Sequence, residues 1–298
     1  MSTIVAEPST RAVVAPGAPG PQRGLSRKSR RRAWGAVRGV LIALVTVAFG
    51  FPLVWMLIAS FQPSIVITSP DSISKFQFTV ENFVNVFAKQ QFAFFAWNSF
   101  FIAASTTVLS LVIGVPAAYA IARWSMNRSS FVVLIARIVP GISLLVPWYY
   151  IFAQIGLVDS YAALILTHMF VGLPLVVWIM MNTFEALPAE LEEAGQIDGL
   201  SQIGAFVRVA VPLAAPGIAT ATVLSMIFSW NNFLFALVLS GATTKTLPAA
   251  IFNFISYASI DWGGLMAAAV VITVPVMLIS LFMQRYIVSG LTGGATKG

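Results

Sequence analysis

At 298 residues, with 58% hydrophobic side chains, 9% charged ones and a mean hydropathy of +0.89, the chain cannot cover itself with water-compatible surface; a soluble domain carries about 25% charged residues. No cysteine and a single histidine, His168, argue against a disulfide framework, a thiolate metal site or a histidine-rich metal centre. The net charge of +7 does not imply nucleic acid, because most of the basic residues flank apolar runs and act there as topology signals.

Residues 1–35 read as a disordered basic tail. The part before Gly24 is rich in Ala, Pro, Val and Gly without periodicity, and the basic run Arg27–Arg32 anchors the first apolar run. A spanning helix needs about 20 mostly apolar residues. Six stretches qualify, at 37–61, 98–123, 131–157, 161–183, 217–240 and 264–288. They are continuous rather than alternating with period two, so helices are expected and a barrel is not. The fold class is therefore all-α and polytopic.

Arg38, Arg123, Arg128, Arg208 and Arg285 fall on one side of six such spans, and Lys75, Lys89 and Lys245 on the other. The positive-inside rule then places both termini in the cytoplasm of a cytoplasmic-membrane protein. In the connection 62–97, Val80, Phe83, Val84 and Phe87 recur at helical spacing and predict a short helix on the membrane surface. Pro116, Pro140, Pro147, Pro174 and Pro275 are expected to kink helices.

A polar island at 184–212 interrupts this pattern on the cytoplasmic side. Pro188 suits a first helical turn, and Glu190, Glu192 and Glu193 complement its dipole. Leu191, Ala194 and Ile197 form a narrow apolar stripe. Gly199 is placed to end the helix in a left-handed conformation, and Ser201 to cap a second helix running through Phe206 to Pro212. Gly195 permits close approach by another surface. From charge alone, these acids either keep a loop soluble or present it to a partner.

Glu193-Ala194-Gly195, Gly199, Val209 and Val211-Pro212 resemble the "EAA" loop of the membrane subunits of binding-protein-dependent ABC importers. Gly195 stands where that pattern has a second Ala, Val209 where it has Ile and Val211 where it has Leu. Asn98-Ser99, Pro140, Leu173-Pro174 and Trp230-Asn231 are similar to the sugar-importer permeases. The ending Gly290-Leu291-Thr292-Gly293-Gly294-Ala295-Thr296-Lys297-Gly298 is similar to the tail of the maltose-type permease, with Thr296 in place of Val.

The resemblance implies the type I ABC importer permease fold, with six transmembrane helices over 36–298 and a cytoplasmic coupling helix. It implies docking on an ATP-hydrolysing subunit through Glu190, Glu193, Ala194, Gly195, Asp198, Gly199 and Phe206. The tail at 289–298, through Thr292, Gly293, Gly294 and Lys297, would reach between two such subunits. The partners implied are two ATP-binding subunits, a second homologous permease, an extracellular substrate-binding protein and membrane lipid. No cofactor is expected in this chain, which has no phosphate-binding Gly-Lys-Ser/Thr loop; ATP and Mg belong to the partners. The cargo implied is a sugar or related polyol.

Asn98, Arg137, Trp230, Asn231 and Asn232 are candidates for the translocation path. Two readings stand for Arg137, a functional intramembrane ion or a side chain that snorkels to the interface. Two also stand for the Trp230-Asn231-Asn232 run, a sugar path or interhelical hydrogen bonds. A secondary transporter of a small polar solute is the rival class, but no acidic residue lies inside the six spans to couple an ion.

Overall fold

The computed structural model describes residues 27–70, 75–257 and 259–292. Among them, fourteen α-helices follow one another: α1 (Arg27–Ser60), α2 (Ser64–Ile67), α3 (Glu81–Ala88), α4 (Phe92–Arg123), α5 (Asn127–Ile138), α6 (Leu145–Gln154) and α7 (Tyr161–Glu185). Then come α8 (Glu190–Ile197), α9 (Gln202–Ala205), α10 (Val211–Leu213), α11 (Ala215–Trp230), α12 (Leu234–Leu239), α13 (Leu247–Ala250) and α14 (Trp262–Thr292). The described residues contain no strand beyond one isolated bridge between Ile255 and Ile260. Among the described residues, four helices are each long and apolar enough to cross a membrane, and two bent pairs bring the number to six if each pair is one span.

The chain divides into two units, one ending at Leu53 and one beginning at Val54. In the first, helix starts at Arg27, so the expected disordered tail of 1–35 ends earlier than its basic residues suggested. Arginine and alanine are good helix formers and are continuous with an apolar run. Residues 1–26 lie outside the described residues, as do Gly293, Gly294 and Lys297 of the C-terminal tail. Thr292 closes α14, which therefore extends past the expected span end at 288.

In the second unit, α4, α7, α11 and α14 are the principal packing elements, with α4 against α7 the most extensive pair. Glycine sets the approach of α7 and α11: a Cβ on Gly217 would overlap the Thr183 side chain. One apolar cluster at the α8 end joins Tyr119, Met180, Phe184, Ala210 and Ala214. Another, at the opposite end, joins Phe92, Phe95, Trp230, Leu247 and Phe254.

Two expected spans are broken. The stretch 131–157 bends by 88° between α5 and the helical turn beginning at Gly141. Pro140 has no N–H to continue the ladder and drives Val139 to an extended ψ of 118°. The stretch 217–240 stops at Trp230, and the Asn232 side chain accepts the Phe235 N–H at 3.3 Å, so a new helix starts there. Asparagine offers the backbone that alternative to continuing the helix. Of the other prolines, Pro116, Pro174 and Pro275 lie within uninterrupted helices. Pro147 sits in the first turn of α6, where its missing N–H costs nothing.

The surface helix predicted around Val80–Phe87 is α3. Val80, Val84 and Phe87 remain exposed, while Val86 and Asn82 are buried. The Asn82 amide donates to the carbonyls of Ser60 and Gln62 at 2.9 and 2.8 Å. It thus satisfies acceptors that the end of α1 leaves open.

Candidate functional site

The polar island folds as a helix, a glycine turn and a second helix. Glu190, Glu192 and Glu193 occupy the first turn of α8, where their charge meets the orphan N–H groups. The exit is a left-handed residue, Gly199, at φ 95°. The Gly199 N–H donates to Gln196 O and the Leu200 N–H to Gly195 O, both at 3.0 Å. That crossed pair closes the carbonyl end as only a glycine there allows without strain. Ser201 Oγ then accepts the Gly204 N–H at 3.1 Å and starts α9. The backbone widens into one π-helical turn at Phe206–Ala210 before α10, and α11 leaves at 73°.

The three acids of α8 face different ways. Glu190 and Glu193 are exposed, as are Ala194, Asp198 and Gly199. So is the apolar stripe, with Leu191 at 46% and Ile197 at 87%. Glu192 instead turns into the protein. Its Oε1 accepts the Arg123 Nη2–H at 2.6 Å and Nε–H at 2.9 Å, and its Oε2 accepts the Tyr119 hydroxyl at 2.5 Å. Arg123 also donates through Nη1 to Phe184 O at 2.9 Å. The ends of α4 and α7 and the first turn of α8 therefore meet in one charged knot.

Two expected docking residues are used inside the chain. Phe206 packs its ring on Tyr119 and Phe184, with centroids 4.6 and 6.3 Å apart. The space beside Gly195 is filled by Leu200 and Val209: an added Cβ would lie 3.2 and 3.3 Å from their methyl groups. The close approach that Gly195 permits is thus made by the chain's own second helix. Sequence reasoning missed Glu192, Arg123 and Tyr119. Glu192 looked like one more helix acid, and Arg123 like a topology signal.

At the opposite end, Asn98 is fully buried with every polar atom engaged. It donates to Thr243 O at 3.2 Å and Lys245 O at 3.0 Å and accepts the Tyr161 hydroxyl at 2.7 Å. Next to it, Ser99 Oγ accepts the Leu247 N–H at 2.8 Å. Asn98 therefore fastens a loop and leaves nothing for a passing solute, which corrects its expected place on the path. Trp230 fits the interhelical one of its two readings: it is buried, and its indole N–H donates to Ile272 O at 3.1 Å, tying α11 to α14.

Asp159, also missed, fastens the same loop. It sits at φ 58°, and its carboxylate accepts the N–H groups of Gly241, Thr243 and Thr244 and the Thr244 hydroxyl. Burial alone would raise its pKa. These hydrogen bonds outweigh burial and hold it below the ordinary carboxylate value.

Asn231 and Asn232 do line an open cleft of ≈ 500 Å³, with Gly141, Ile142, Val171 and Phe233. Both breaks in the apolar spans thus border one space. The Arg137 guanidinium lies 4.6 Å over the Trp178 ring. Trp178 is seven residues beyond Val171 on α7, hence two turns away on the same face. His168 is buried, with Nδ1 2.8 Å from Ser229 Oγ. Among the described residues no group of His, Cys, Asp and Glu is placed to hold a metal ion.

Residues 110–293 match the family model described as binding-protein-dependent transport system inner membrane component. The chain is 36% identical over 276 residues to the trehalose transport system permease protein SugB of Mycobacterium tuberculosis, covering 91% of this chain and 99% of that protein. It is 34% identical over 267 residues to the sulfoquinovosyl glycerol transport system permease protein SmoH of Agrobacterium fabrum, covering 88% and 94%. It is also 34% identical over 270 residues to the trehalose/maltose transport system permease protein MalG of Thermococcus litoralis, covering 88% and 95%. The fold is that of a chain in a bacterial ABC transporter involved in the import of the acidic polysaccharide alginate. The TM-score is 0.73 at 22% identity, over 90% of this chain and 99% of that one.

Proposed function

The chain belongs to the binding-protein-dependent transport system inner membrane components, and on that premise we propose that it is a permease subunit of an ATP-driven importer for a sugar or related polyol. The observation that carries the cargo class is the near full-length similarity to permeases named for trehalose, maltose and sulfoquinovosyl glycerol. The chain is a translocation subunit; ATP and Mg would be bound by two separate ATPase subunits. A second permease and an extracellular binding protein complete the assembly, and both termini of this chain lie in the cytoplasm.

In this reading, α8 is the coupling helix. Its exposed Glu190, Glu193, Ala194, Asp198 and Gly199 meet an ATPase subunit, with Glu193 suited to a bidentate arginine contact. Glu192 faces the other way and binds α8 to α4, so a push on the docked surface reaches the second span as well as α11. Asn231 and Asn232 in the open cleft supply the hydrogen-bonding groups that a hydroxylated solute needs. The tail with Thr292, Gly293, Gly294 and Lys297 would reach between the two ATPase subunits.

The test is purification of the tagged chain from its native membrane, followed by uptake and ATPase assays of Glu193→Arg. ATPase subunits should co-purify with the unaltered chain, and Glu193→Arg should lose uptake and ATPase stimulation. Unchanged assembly and uptake in that variant would sink the docking role. Proton-driven uptake by the chain alone would overturn the importer in favour of a secondary transporter.

A further inference from the structure

The positive-inside pattern leaves three lysines, Lys75, Lys89 and Lys245, on the side opposite α8. Two of them, far apart in sequence, converge. Lys89 ends α3 and Lys245 lies in the loop held by Asn98, and both line one cavity of ≈ 260 Å³ with Gln90, Gln91, Phe95 and Asn253. No carboxylate is among these lining residues. The partners that hold the Lys245 ammonium are neutral: the Asn253 side-chain oxygen at 3.1 Å, and the Phe95 ring with its centroid 6.0 Å away. A neutral oxygen and a ring face orient a cation without cancelling its charge. The backbone beneath it is fixed, since Lys245 O accepts from the buried Asn98. Gln91, on the wall of the same cavity, holds a left-handed φ of 54° that a glutamine rarely adopts.

We infer that this cavity is a docking socket for an acidic side chain of the extracellular binding protein, received between Lys89 and Lys245. The inference rests on the proposed function, which supplies both the partner and the sidedness. The socket is positive, contains amide groups that hydrogen-bond to a carboxylate, and is held to α4 by Asn98. An ammonium–carboxylate contact at the rim of such an interface acts on encounter and register, and weakens with salt.

The experiment uses the assembled complex and the system's own binding protein. With Lys89→Glu and Lys245→Glu combined, the apparent affinity of the binding protein should fall about tenfold or more at low ionic strength, and the deficit should shrink at high salt. Unchanged affinity and salt dependence in complexes that retain their ATPase subunits would overturn the socket. A second measurement covers a variant that fails to assemble. The chain has no cysteine, so Lys245→Cys offers one thiol to a membrane-impermeant maleimide. Labelling from outside that the binding protein blocks supports the socket, and labelling from outside that it leaves unchanged overturns it. Labelling only from the cytoplasmic side would overturn the sidedness itself.

Discussion

Glu192→Ala is the most telling perturbation, because its neighbour Glu193 supplies the control. Glu192 is 7% and Arg123 14% exposed, with three hydrogen bonds ending on the two carboxylate oxygens. Removing one partner of such a buried pair costs about 3–5 kcal/mol, since the other charge is left behind. Arg123 keeps its bond to Phe184 O and some access to water, which places the change near the lower end, about 3 kcal/mol. Glu193 is exposed, and Glu193→Ala should stay within about 0.5 kcal/mol. Thermal unfolding of the isolated chain in lipid nanodiscs, without the ATPase subunits that Glu193 would meet, reads the difference, at roughly 2–4 °C per kcal/mol for domains of 150–250 residues. Glu192→Ala should therefore melt roughly 6–12 °C below Glu193→Ala. A cycle with Arg123→Ala should show a coupling of about 0.5–3 kcal/mol, because the second removal no longer strands a charge. Equal melting of Glu192→Ala and Glu193→Ala would refute the assignment of Glu192 as the inward clamp.

At the opposite end, Asn98→Ala strands the Thr243 and Lys245 carbonyls and the Tyr161 hydroxyl, and should cost several kcal/mol at about 1–3 kcal/mol per unsatisfied group. Asn231→Ala should instead raise the KM for uptake with the melting temperature preserved, because Asn231 is exposed and lines the cleft. The Asp159 carboxyl has a depressed pKa in the fold, so its contribution is present above the unfolded value of about 3.9 and is lost as pH falls through the lower folded value. Unfolding followed from pH 6 downwards should thus show an acid-side loss that Asp159→Asn lacks. Gly199→Ala should cost about 1–2 kcal/mol for a side chain in the left-handed region. Gly195→Ala should stay near neutral, since a helix-propensity gain of up to about 1 kcal/mol opposes a squeeze on two methyl groups. Melting curves of the two glycine variants, side by side, decide this.

The number of apolar runs, their helical character and the turn at Gly199 were all legible, because each rests on local chemistry. Length, hydropathy and glycine conformation do not depend on what lies across the molecule. Asn98 stood out in the sequence as a candidate solute contact, and Trp230 as either a solute contact or an interhelical hydrogen bond. A polar side chain in an apolar run signals that a partner exists, and only the fold identifies it, here a loop 145 and 147 residues away for Asn98 and a carbonyl on α14 for Trp230. The same limit hid Glu192. Its separation from Arg123 is 69 residues, and a helix with three acids in its first turn does not reveal which of them faces inward. The helix break beside Pro140 was announced by that proline, although not its size, whereas the break at Trp230 was masked for a different reason. Hydropathy runs through it without interruption, whereas the Asn232 side chain acts on the backbone hydrogen bonds that hydropathy does not sense.

Both clamps grip the same element. Asn98 in the early part of α4 holds the loop that carries Lys245, and Arg123 at its last residue holds α8 through Glu192. Twenty-five residues of uninterrupted helix separate them, about 38 Å at 1.5 Å per residue. A helix of that length transmits displacement along its axis through its own ladder of hydrogen bonds, and Pro116 is the one place within it where that ladder lacks a donor. Loosening either clamp should therefore uncouple the two ends in the same way: binding-protein stimulation of ATPase would fall in Asn98→Ala and in Glu192→Ala alike, although those residues sit at opposite ends of α4. Stimulation that survives both substitutions in assembled complexes would show that the signal runs through another helix, with α7 and α11 the next to test because they pack most extensively on α4.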